Sequence, residues 1–174
     1  MAGMITAYNP TTHSSLVPYM AVLHATCISS DKTITTFIPP IANDRLLQWW
    51  KDRIAESVRG ERAIFLLLEA DSFRPLGARL TGLVMLDLSL AASSETATHR
   101  ATVETLLVGS DFRGKGGARR LMNAVEAEAR ARGRFLLVSK QTKNKKKSPF
   151  GHETRIETRL FDLGLTTTTS SSTR

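Results

Sequence analysis

The sequence predicts an α/β (α+β) domain with the element order β-α-α-β-β-β-α-β, on three observations. VETLLVGSDFRGKGGARRLMNAVEAEARARG (103–133) reads as a strand, a tight glycine-rich loop and a helix. AIFLLLE (63–69) and RLTGLVMLDLS (79–89) have the length and apolar content of two further strands. Before them lie two stretches whose apolar residues recur at helical spacing.

In chain order, Met4–Tyr8 suits a short first strand. From Thr12 to about Ser29, Leu16, Val17, Met20, Leu23 and Ile28 fall near helical spacing, with Thr11 or Thr12 as N-cap. Pro18 then lies in or near the first turn, where it is tolerated. Asp31–Ala42, with Pro39-Pro40 and several threonines, reads as a loop. Asn43 or Asp44 can cap a second helix with Leu46, Leu47, Trp50, Ile54 and Val58 on one face, and Gly60 ends it. The 63–69 and 79–89 strands are parted by turn residues around Pro75 and Gly77, and small polar Ala91–Arg100 reads as a hairpin connection. Val103–Val108 is apolar except for Glu104. Leu121, Met122, Val125 and Ala129 give the next helix its buried face, and Gly133 supplies a left-handed C-cap. Phe135–Val138 is a buried-strand signal.

At 174 residues the chain suits one domain with a sizeable core. It has no run of about 18 apolar residues and no charged-then-apolar leader, which predicts no membrane partner. A single cysteine, Cys27, makes no internal disulfide. A cytoplasmic protein is the default expectation, a nuclear one the alternative. Of the net charge of +8, +5 falls in residues 139–174, which hold eight Lys/Arg and three Asp/Glu, so the body is only mildly basic.

The loop carries the chemistry. Three glycines in Gly114-Lys115-Gly116-Gly117 let the backbone approach a bulky anion and turn N–H groups towards it. The following helix adds the positive end of its dipole. Arg113, Lys115, Arg119 and Arg120 add charge, so the loop reads as a phosphate cradle. It is not GxxxxGK[ST], because Gly116 follows Lys115 and no Ser or Thr lies where magnesium needs one. Nor is it the dinucleotide fingerprint, which needs a third glycine and an acidic residue about 20 positions on.

What the loop does match is Arg/Gln-x-x-Gly-x-Gly/Ala, here Arg113-x-x-Gly116-x-Ala118, after Leu106-Leu107-Val108. That combination resembles motif A of the GNAT superfamily of acetyl-coenzyme A-dependent N-acetyltransferases. Gly82-Leu83-Val84 resembles the start of that superfamily's third strand. The VETLLV…FRGKGGARRLM and TTFIPP…WWKDRI runs resemble its tabtoxin-resistance-like subgroup, and the likeness covers residues 4–138.

The resemblance implies a mixed, mostly antiparallel sheet flanked by helices, whose fourth and fifth strands splay to receive the pantetheine arm. It implies acetyl-CoA as cosubstrate, no metal, and direct attack by a small-molecule primary amine without an acyl-enzyme. It places the coenzyme on Leu106, Leu107 and Val108 through backbone N–H groups and on Arg113, Gly114, Lys115, Gly116, Gly117 and Ala118 at the pyrophosphate. Glu104, just before that backbone, can relay the amine's proton. It can equally be a solvent-facing strand residue or half of a salt bridge. For the loop the plain alternative is an ordinary strand-to-helix turn, and for Lys115 and Arg119 it is a solvated charge. His24 and Trp49-Trp50 read as packed residues. Tyr8 and Tyr19 are too far from any motif to assign as general acid.

After Val138 the character changes. SKQTKNKKKS (139–148) has no apolar residue, Thr166–Thr173 is only Thr and Ser, and both read as disordered. Arg159–Leu165 (RLFDLGL) faintly resembles motif B, with Phe161 where a tyrosine hydroxyl is usual. The expected division is therefore a 1–138 acetyltransferase domain, its final strands missing, and a 139–174 tail. The tail is either genuine or mis-spliced: Val138-Ser139-Lys140 admits codons containing the splice donor GTAAGT, and Phe150–Arg155 admits a shifted frame reading Leu-Asp-Thr-Arg. An incomplete sheet favours a catalytically impaired coenzyme-binding product, with an exposed edge and a homodimer as one outcome. A nucleic-acid-binding tail rests only on Lys143–Lys147 and ranks last.

Overall fold

The computed structural model describes residues 3–31, 37, 41–89, 98–143 and 153–160. Strand β1 (Met4–Ala7) leads into α1 (Pro10–His13), a 3-10 turn (Ser14–Leu16) and α2 (Val17–Asp31). The helix expected from Thr12 is thus built in three pieces. Its cap is Asn9, not Thr11 or Thr12: Asn9 has extended φ/ψ and its Oδ1 accepts the Thr11 N–H at 2.8 Å. Pro10 at the next position has no N–H to leave unsatisfied. Helix α3 (Asn43–Val58) begins where expected, but its N-cap is Ala42, with no side-chain bond. Asp44 instead sets a negative charge in its first turn. Most of the loop between the helices, residues 32–36 and 38–40, lies outside the described residues.

Strands β2 (Arg62–Ala70), β3 (Ala78–Asp87) and β4 (Arg100–Val108), helix α4 (Gly117–Ala131), and strands β5 (Leu136–Lys143) and β6 (Glu153–Leu160) follow. The sheet runs β1-β2-β3-β4-β5-β6. Every pairing is antiparallel except β4 with β5, the pair that α4 connects. That one parallel pair needs a long crossover, and the strand–loop–helix stretch supplies it.

The sheet does not end at Val138. Strand β5 continues to Lys143, and β6 pairs with it from Leu136↔Leu160 to Lys143↔Glu153. The missed signal is ETRIETRL (153–160), in which Thr, Ile and Leu alternate strictly with Glu and Arg. Phe161 and the rest of the motif B likeness lie outside the described residues, as does 91–97 of the expected hairpin connection.

The two sheet faces carry separate cores. Ile64, Leu66, Leu68, Leu83 and Met85 pack with Leu16, Met20, Leu46 and Trp50 of the α2/α3 layer. Phe65, Leu67, Val84, Leu86, Ala101 and Val103 pack with Leu121, Val125 and Ala129 of α4. Covering both faces is why the central strands read as unbroken apolar runs rather than alternating ones. Among the described residues no helix is long and apolar enough to cross a membrane.

His24 is packed, as its place on the apolar helix implies. It is 2% exposed, with its ring 5.2 Å from Trp49 and 5.8 Å from Trp50, and Nδ1 has no hydrogen-bond partner among the described residues. Burial lowers its pKa to about 4. The unfolded chain, with an ordinary histidine pKa of about 6.5, then binds more protons than the folded one between those values. Stability is full above about pH 6.5 and falls as the pH drops towards 4, by roughly 2 kcal/mol between pH 7 and 5. Melting curves of the wild type and His24→Met across pH 5–7 check this. The variant's pH slope should be flatter, whatever its absolute stability.

Candidate functional site

The site grows from an irregularity in β4. Leu107 pairs with Leu83 and Glu104 with Met85, so Thr105 and Leu106 together stand opposite Val84. Thr105 takes the extra residue in the left-handed region, at φ 51°. For a β-branched residue this is costly backbone, on the order of 1–3 kcal/mol. The bulge reverses the strand's alternation. Ala101 and Val103 face α4 before it, whereas after it Leu107 packs on the α2/α3 core and Val108 on the α4 core.

Beyond the same point β4 and β5 part. Their parallel pairing runs from Arg100↔Leu136 to Val103↔Ser139 and stops, while β5 goes on with β6. Among the described residues, the edge of Glu104–Val108 that faces β5 therefore has no strand partner. A wedge opens with unpaired backbone amides along one wall.

The glycine loop lies at the end of that wall. Gly116 caps α4 at φ 77°, a conformation that disfavours any side chain. A Cβ on Gly117 would stand 2.8 Å from Leu67 Cδ2, so the helix start rests directly on β2. Arg120 N–H takes the Gly116 carbonyl, whereas Gly117, Ala118 and Arg119 are first-turn donors without an intrahelical acceptor. Free first-turn N–H groups with the positive end of a helix dipole are donors of the kind that suit an anion. Lys115 extends beside it, its Nζ 5.1 Å from the centre of the Phe112 ring.

Arg113 belongs to a different contact. Its Nη atoms lie 2.7 Å from both Asp31 carboxylate oxygens, and Nε donates to Val108 O at 3.0 Å. The Asp31 bonds hold the guanidinium above its ordinary pKa. The side chain thus ties the end of α2 to the end of β4, and the charge expected at the pyrophosphate is here paired with Asp31.

Glu104 precedes the bulge and faces the α2/α3 side. Its Oε2 accepts from Arg62 Nη1 at 2.8 Å. Arg62, with a side chain only 4% exposed, also donates from Nε to Glu56 Oε2 at 2.8 Å and lies 3.7 Å from Asp87. Burial works against the Arg62 charge, but its hydrogen bonds to Glu56 and Glu104 outweigh it and raise its pKa. Among the described residues Arg62 is the one hydrogen-bond partner of Glu104, whose side chain is 37% exposed. No cluster of His, Cys, Asp or Glu among them is placed to hold a metal ion.

A family model described as the acetyltransferase (GNAT) family matches residues 32–147. The chain belongs to this family. Similarity to solved structures supports the fold of this acetyl-CoA-dependent N-acetyltransferase. An N-acetyltransferase from Staphylococcus aureus Mu50 superposes with a TM-score of 0.60 at 18% identity, over 84% of this chain and 77% of that one. The yncA protein of Salmonella typhimurium with its cofactor acetyl-CoA gives 0.53 at 17%, over 82% and 71%. An aminoglycoside 6'-N-acetyltransferase complexed with coenzyme A gives 0.59 at 14%, over 82% and 64%. No curated protein sequence matches.

The residues expected at the N-acetyltransferase site fall together along one path. Glu104 lies at the apex of the wedge, Leu106, Leu107 and Val108 on its β4 wall, and Gly114 to Ala118 beyond the end of that wall. The side chain of Arg113 is the departure. Sequence reasoning missed Thr105, Arg62 and Asp31. A lone arginine opening an apolar strand is a signal for Arg62, whereas Thr105 and Asp31 carry none.

Two measurements follow. In Gly116→Glu the protein should still fold, at a cost of about 1–2 kcal/mol for a left-handed side chain, and should lose saturable acetyl-CoA binding by calorimetry. Asp31→Asn should lower stability by less than about 1 kcal/mol and leave acetyl-CoA affinity unchanged. A tenfold gain in affinity there would mean that the freed Arg113 charge reaches the pyrophosphate.

Proposed function

We propose that this N-acetyltransferase moves the acetyl group of acetyl-CoA to a primary amine of a small molecule by direct attack, with Glu104 receiving the amine's proton. One observation carries the reading: an open carboxylate stands where β4 leaves β5, next to unpaired amides and in line with the anion cradle. The first-turn N–H groups of Gly117 and Ala118, with the backbone of Gly114 to Gly116, suit the pyrophosphate. The unpaired amides near Leu106–Val108 suit the pantetheine arm and the thioester oxygen, whose charge grows as the amine attacks. The coenzyme supplies an activated acetyl carbon and a thiolate leaving group.

The acceptor nitrogen attacks that carbon from the α2/α3 side, where Glu104 faces. Arg62 holds Oε2, so the carboxylate presents Oε1 to the amine or to a water between them. The new C–N bond replaces the C–S bond, the nitrogen's proton passes to Glu104, and the thiolate departs. A small acceptor is supported by the neighbour that acts on aminoglycosides and by the likeness to tabtoxin-resistance-like enzymes in the TTFIPP…WWKDRI run.

Thiol release from acetyl-CoA, followed with a panel of aminoglycosides, polyamines and amino acids and with a peptide bearing a free α-amine, tests the substrate class. Turnover with the peptide alone would remove the small-molecule reading. Coenzyme binding with no turnover would make the chain a binding protein. Glu104→Gln keeps the bond to Arg62 but cannot take the proton. Its kcat should fall by about 10²-fold or more, with acetyl-CoA affinity retained. Full turnover by this variant would exclude Glu104 as the base.

A further inference from the structure

A second cavity lies away from the wedge, on the α2 face of β3 and β4, with a volume of about 310 Å³. One wall is the outer face of α2, including Leu16, Tyr19 and Leu23. The opposite wall is the start of β3 and the Gly109–Phe112 turn. Gly109 lies one residue past the end of β4 and five beyond Glu104, and Glu104 is not among the residues that line this cavity. Val22, 63% exposed, marks an apolar mouth.

The polar groups at this cavity are unevenly charged. Arg79 lies over the Phe112 ring at 4.8 Å from its centre and pairs with no carboxylate among the described residues, although Glu69 is its cross-strand neighbour. Arg74 lies over Tyr19 at 5.7 Å and approaches Asp71 only to 3.8 Å. The lining holds one carboxylate, Asp111, which accepts a hydrogen bond from Ser110. Two guanidiniums stacked on rings, with apolar walls between them, give a compact cavity with a small number of directed donors. Planar guanidinium donors match a carboxylate in paired geometry, and the walls match an apolar body.

We propose that this cavity binds a small monocarboxylate with an aryl or branched apolar body, held by Arg79 and Arg74, at a site separate from the coenzyme and the acceptor. The Phe112 ring has Arg79 and Lys115 against it, so this site shares a wall with the cradle residue Lys115. Any effect of one ligand on the other's affinity is then reciprocal.

Calorimetry and thermal shift with phenylacetate and isovalerate, each against its neutral amide, test the proposal without acetyl-CoA present. At least one acid should bind saturably at millimolar concentration or below, and its amide at least tenfold more weakly. Arg79→Met, which keeps the side chain's apolar stem, should lose the preference for acid over amide while retaining its far-ultraviolet spectrum and its acetyl-CoA binding. Val22→Asp, at the exposed mouth, should also lose it, by repulsion. Absence of saturable binding by both acids, equal binding of acid and amide, or wild-type binding by Arg79→Met would overturn the proposal. Repeating the titration at saturating acetyl-CoA separates the sites: persistent binding supports a second site, and complete displacement makes the cavity part of the coenzyme's own. Because the acids are titrated alone, failure of the cradle reading leaves this result standing.

Discussion

One extra residue in β4 sets the geometry of the molecule. A regular strand would have kept pairing with β5, and its side chains would have continued in and out by turns. Thr105 at positive φ breaks both patterns at once. It exposes backbone amides on the wedge side and changes which residues the two cores receive. The cost is backbone strain, and the return is a polar wall inside an otherwise paired sheet. The two apolar layers hold that wall in place, since neither can shift a strand without opening a void.

The second constraint is ionic. Arg62 opens β2, meets Asp87 across the β2–β3 pair, and reaches α3 through Glu56 and β4 through Glu104. Three carboxylates gathered without that guanidinium would repel one another in a half-buried setting, so the cluster stands or falls as a unit. The orientation of Glu104 therefore depends on a residue 42 positions earlier in the chain, in a different strand. Arg113 does the same for the loop by joining it to Asp31 at the end of α2.

Much of this was legible in the residues. The strand, loop and helix around Gly114–Gly117 stood out because close backbone approach to an anion needs glycine at particular places, and that need is written locally. The apolar runs of β2 and β3 betrayed a sheet covered on both faces. Three features were not legible. The bulge at Thr105 arises from register with β3, a relation between distant segments, and threonine is an unusual residue for its conformation. The destination of the Arg113 side chain depends on where α2 ends. Strand β6 lies in a tail whose lysine-rich and Thr/Ser-rich composition is that of a disordered segment, although ETRIETRL within it carries a plain period of two.

Cys27 gives the chain an internal reporter. The residue is 4% exposed, and its thiol lies 3.8 Å from the Val108 carbonyl and 4.0 Å from the Arg113 guanidinium, with its pKa raised mainly by burial. Alkylation needs an accessible thiolate, and access requires Arg113 and the end of β4 to move off α2, which also relieves the burial that raises the pKa. The rate at which a thiol reagent labels the single cysteine thus measures how often that junction opens, without any engineered probe.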